Sequence, residues 1–208
     1  KKEKGETEVM TPNLAALLYL ISGIFFILAL RGLSSPETSR QGNLFGILGM
    51  VLAVTVTFLS VDILFGGLIF IICALAIGGS IGTFVAYRIS MAAMPQLVAG
   101  FHSLVGLAAV LVALSAFYNP EAFELGTPNN IRIASLVEMS IGGSIGAITF
   151  TGSIIAFLKL QGLMSGIPIT FKGQHFINLL IEIGIVCLII YVTIDQNNFI
   201  FWLLIIFS

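Results

Sequence analysis

LFGGLIFIICALAIGGSIGTFVA, residues 64–86, carries no charged side chain from end to end and decides the fold class. About 20 residues rising 1.5 Å each cross a hydrocarbon core of roughly 30 Å, so an uncharged apolar run of this length is a transmembrane helix candidate. The rest of the chain has the same character. Of its 208 residues, 58% are hydrophobic and 9% charged, and every Lys and Arg falls outside the long apolar runs. Soluble domains carry about 25% charged residues, which excludes that class. A membrane barrel would read as short alternating segments, whereas these runs are continuous and rich in Leu, Ile, Phe, Ala and Gly. The fold class is therefore an all-α integral membrane protein, a polytopic transmembrane helix bundle.

Working outward from that run, the spacing predicts spans near 13–31, 43–60, 63–86, 95–117, 133–158 and 176–194. A seventh segment starts at Phe199, but 199–208 rises only about 15 Å, half a bilayer core, which suggests that the chain is part of a longer or a split protein. Residues 1–12 read as a polar tail or linker; KKEKGETE (1–8) lacks the apolar core and cleavage site of a signal peptide. Punctuation falls at Gly32 to Pro36, Met94-Pro95, Asn119-Pro120, Thr127-Pro128 and Gly166 to Pro168, with Pro95 placed to open the fourth helix. The loops after the first, third and fifth spans hold Arg31, Arg40, Arg88, Lys159 and Lys172. The alternate loops hold Arg132 with Asp62, Glu121, Glu124 and Asp195. The excess of bases puts the first set in the cytoplasm or matrix and the N-terminus outside.

GGSIG occurs twice, at 78–82 and 142–146, each copy with glycines four apart that allow close helix approach. Two independent packing faces explain this more simply than a duplicated half. Cys73 and Cys187 both sit in apolar runs, which suggests neither a disulfide nor a metal site. No nucleotide-binding glycine fingerprint, Walker sequence or H-E-x-x-H is present, so no cofactor is expected on this stretch. Nucleic acid is excluded as a partner because the nine bases form no cluster.

Three ionisable residues interrupt the spans: His102, Glu138 and Glu182. A central charge costs on the order of 2–3 kcal/mol on insertion scales, so each calls for a reason. Imidazole titrates near pH ~6.5, which suits His102 to a proton relay; the alternative is a neutral histidine bonded to a neighbouring helix. Glu138 enters from the outer side, at a depth roughly 10–15 Å from His102 by helix rise, so a path using both needs water between them. It could instead be a protonated acid bonded within the bundle, or a residue in contact with the outer water because the span starts late. Glu182 lies at a depth similar to His102 and could pair with it if the fourth and sixth helices touch; a neutral, protein-facing acid is the other reading.

At FHSLVGLAAVLVA (101–113), preceded by MPQLVAGFHS, the sequence resembles the membrane part of the beta subunit of the proton-translocating NAD(P) transhydrogenase. GLSSPETSRQGNLFGILGM (32–50) and IGAITFTGSIIAFLKLQGL (145–163) are similar to further segments of that family, in the same order. The resemblance implies that His102 corresponds to the membrane histidine implicated in proton translocation and Glu138 to an acidic position beside it. It assigns no role to Glu182. It further implies hydride transfer between NAD(H) and NADP(H) on peripheral domains or subunits, coupled to proton movement through the membrane helices. Other helices of the same enzyme, a dimer of the complete enzyme, and a bacterial inner or mitochondrial-type inner membrane are implied with it. The isolated chain is then expected to be inactive in hydride transfer. A proton- or cation-coupled secondary transporter with inverted repeats is the alternative function, and a structural bundle scaffolding partner subunits a third.

Overall fold

The structure, a computed structural model, describes residues 10–35, 37–60 and 65–208. The N-terminal stretch 1–9, Pro36, Asp62 and the predicted start of the third span at 63–64 lie outside the described residues. Seven helices are seen among those described: α1 (Pro12–Leu33), α2 (Ser39–Ser60), α3 (Phe65–Arg88), α4 (Met94–Tyr118), α5 (Ile133–Leu160), α6 (Gln174–Asp195) and α7 (Asn198–Phe207). The first six are long and apolar enough to cross a membrane. Helix α2 opens at Ser39 rather than Asn43, because SRQG is polar sequence that a hydropathy reading leaves to the loop. Pro95 sits in the first turn of α4, where its missing N–H costs nothing.

The chain forms two compact units, Lys1–Phe84 and Val85–Ser208. In the first, α1 and α2 make an antiparallel pair. At its turn the backbones touch: a Cβ on Gly32 would lie 2.5 Å from the Gly42 Cα. Further along, Ser22 Oγ donates to the Gly49 carbonyl at 2.7 Å, and Phe25 stacks on Phe45 with centroids 6.0 Å apart. No described residue of α3 is buried within the chain.

In the second unit, α4 and α5 pack closely along their length, and α6 and α7 close over the N-terminal half of α5. The buried cluster joins Val110, Ala113 and Phe117 of α4, Leu136, Met139 and Ala147 of α5, Val192 of α6, and Phe201 and Leu204 of α7. Phe117 and Phe201 stack in parallel at 4.2 Å. The α4–α5 connection contains a short antiparallel ladder of β1 (Gly126–Thr127) with β2 (Asn130–Ile131). Gln196 grips it from the end of α6: its Oε1 accepts from Ile131 N at 3.0 Å and its Nε2 donates to Ile131 O at 3.3 Å. Arg132 adds a bond to the Glu124 carbonyl at 2.5 Å.

Candidate functional site: His102 on the α4–α5 pair

The register of α4 against α5 follows from small residues. Gln96 Nε2 donates to the Leu160 carbonyl at 3.2 Å, and Gly100 faces the Phe157 ring. Gly106 lies so close to α5 that an added Cβ would meet Phe150 N at 2.5 Å, while one on Gly143 would meet Ala113 at 3.3 Å. The helices are therefore antiparallel, and the level of any α5 residue on α4 can be read from these pairs.

His102 stands eight residues beyond Met94, about 12 Å into α4. It is exposed on the chain's surface and lines an open cavity of about 610 Å³ with Met94, Pro95, Val98 and Ala99 of its own helix and Ser153 and Ala156 of α5. Apolar and small side chains surround the ring. Ser103, next in sequence, turns inward instead and donates to the Gly100 carbonyl at 2.7 Å. No hydrogen bond joins His102 to a neighbouring helix among the described residues.

Glu138 is also exposed. Its neighbours Met139 and Ser140 point into the core, and Glu138 lies on the opposite face. Helical spacing puts Gly142, Ile145, Thr149 and Ala156 on that same face, so one face of α5 runs from Glu138 to the wall of the His102 cavity. The register sets Glu138 level with Tyr118. From 102 to 118 along α4 is about 24 Å, which corrects the 10–15 Å expected from depth alone. The reason is length: α4 has 25 residues and α5 has 28, both more than a bilayer core needs.

Glu182 is exposed on α6, a helix whose only buried residue is Val192. Helix α6 packs chiefly on α5 and α7 rather than on α4, so the structure does not bring Glu182 to His102. Within this chain it is not protein-facing either. No hydrogen bond or ion pair joins any two of the three ionisable residues among those described. What the sequence reading missed is the α5 side of the cavity, Ser153 and Ala156. Their types carry no signal, and only the helix register reveals them.

Six membrane-length helices, and a histidine facing an open cavity within one of them, define a polytopic helical membrane protein with an ionisable group at membrane depth. The family can be stated as well. The sequence model of the NAD(P) transhydrogenase beta subunit matches residues 15–208, and the chain belongs to that family. The chain is 54% identical over 166 residues to a protein named NAD(P) transhydrogenase subunit beta from Rhodospirillum rubrum, an alignment covering 80% of this chain and 35% of the relative. A second sequence of that name, from a designated strain of the same organism, matches to the same extent. The chain thus spans about a third of the length of the curated relatives it matches.

Proposed function

We propose that this chain is the proton-translocating membrane segment of an NAD(P) transhydrogenase, coupling proton movement to hydride transfer between NAD(H) and NADP(H) on peripheral domains. The carrying observation is His102 at membrane depth, facing an open cavity, in a chain of this family. An imidazole takes up and releases a proton near neutral pH, and apolar walls leave few competing sites for it. Glu138 is the second station on the path, nearer the outer surface. The gap of about 24 Å requires water or groups from other helices between them, and the shared α5 face with Thr149 and Ser153 offers hydroxyls along it. Glu182 remains a secondary candidate, turned toward whatever covers α6. The partners are the nucleotide-binding domains and further helices of the complete, dimeric enzyme in a bacterial or mitochondrial-type inner membrane. The nucleotides stay on those domains, so the isolated chain transfers no hydride.

The test is His102→Ala in the complete enzyme, reconstituted in proteoliposomes, with pumping and thermal stability measured together. The relay reading expects proton pumping and its coupled hydride transfer to fall strongly while insertion persists, since removing a polar group lowers insertion cost. Near-normal pumping per folded molecule would reject it.

A further inference from the structure

The connection between α5 and α6, residues 161–173, has neither helix nor strand and exposes nearly every side chain. Its large apolar residues stand out furthest: Ile169 is 82% exposed, Ile167 75%, Leu163 74% and Phe171 52%. A connecting loop in water would carry polar residues at such positions. This one is apolar between bases, with Lys159 before it and Lys172 and His175 after it, and no Asp or Glu from Lys159 to His175.

Length sets its depth. Helix α5 has 28 residues and rises about 42 Å, which matches the ~40–45 Å of a bilayer with its headgroups. Helix α6 has 22 residues and rises about 33 Å, close to the hydrocarbon core alone. Helices of these lengths leave their loop-side ends at or beyond the edge of the core, within the headgroup layer. The loop's irregular backbone cannot sit in hydrocarbon, where unpaired N–H and C=O groups find no partner, but the headgroup layer supplies water. At its end, Thr170, Lys172 and His175 line a shallow concavity at the start of α6.

We infer that this loop is a lipid-docking element, with Leu163, Ile167, Ile169 and Phe171 seated at the headgroup–acyl boundary and Lys159 and Lys172 on the headgroups of anionic phospholipid. Net positive charge without a single acid is complementary to an anionic leaflet, and apolar side chains between bases are the pattern of interfacial segments.

The experiment places an environment-sensitive fluorophore at Ile169→Cys, with Cys73 and Cys187 replaced by serine, in the complete enzyme. Nanodiscs of phosphatidylcholine alone are compared with discs containing phosphatidylglycerol, each with spin-labelled lipid as quencher. The expected result is blue-shifted emission quenched by a label high on the acyl chain, stronger in anionic discs, and Lys172→Gln removes the anionic preference. A probe at Asn129→Cys in the opposite loop should show no such quenching. Water-like emission at position 169 would overturn the proposal. So would a blue shift without lipid quenching, which would mean that a protein domain covers the loop instead. Neither result bears on whether His102 carries protons.

Discussion

The pentapeptide GGSIG occurs twice and has two fates. At 142–146 two of the three glycines are packed, Gly142 being open: an added Cβ on Gly146 would meet the Gly106 carbonyl at 2.9 Å and the Ala109 side chain at 3.0 Å, and Gly143 lies under Ile205. At 78–82 the same residues face open space, with nothing within 4 Å of a Cβ on Gly78, Gly79 or Gly82. The difference lies in the partner. Helix α4 presents Gly106, Ala109 and Ala113 toward α5, so small residues meet small residues and the backbones close up. No helix of the first unit offers such a face to α3. A small-residue motif is thus a capacity for close packing that a second helix has to complete.

Breaking the packed copy should have the largest effect. Gly106→Ala places a methyl against the backbone of Phe150, which cannot move aside as a side-chain tip would, and is expected to cost about 3 kcal/mol. Thermal unfolding of the purified protein in detergent would show it. The β1–β2 end of the same helix pair tests a different kind of restraint. Gln196→Ala removes both bonds to Ile131 and leaves a buried backbone pair without partners, for an expected loss of about 1–2 kcal/mol. Faster hydrogen exchange at 126–131 would accompany it.

Gly143→Ala sharpens the contrast from within the packed copy. Its nearest obstacle is the Cδ1 of Ile205, the far end of a flexible side chain, so a cost of only about 1 kcal/mol is expected in the same unfolding measurement. Smallest of all is Gly79→Ala in the open copy. Alanine is the better helix former, so stability should rise by about 0.5–1 kcal/mol. A loss as large as that of Gly106→Ala would collapse the comparison, because it would mean that the open copy packs on something outside the described residues.

Some of this was legible in the residues alone. Spans could be read because hydropathy over some 20 residues is set by the thickness of the solvent, whatever the helices touch. The candidate histidine was legible because an ionisable group stands out against apolar sequence, and FHSLVGLAAVLVA carried the family. The cavity wall was not, since Ser153 and Ala156 are ordinary membrane-helix residues. Nor was the exposure of Glu138 and Glu182, for a side chain facing lipid or a missing helix is written in the same letters as one facing the bundle.

Sequence by itself determined the class, the number of membrane-length helices and the positions of the three ionisable groups along them. Only the tertiary structure decided which GGSIG copy packs, that α4 and α5 run in a register placing His102 beside Ser153, and that Glu138 stands about 24 Å away along the pair. The physical reason is that a bilayer is as apolar as a protein core. Membrane helices are hydrophobic all round, so the periodic contrast that tells a soluble helix which face to bury is missing, and steric fit between small residues has to choose instead.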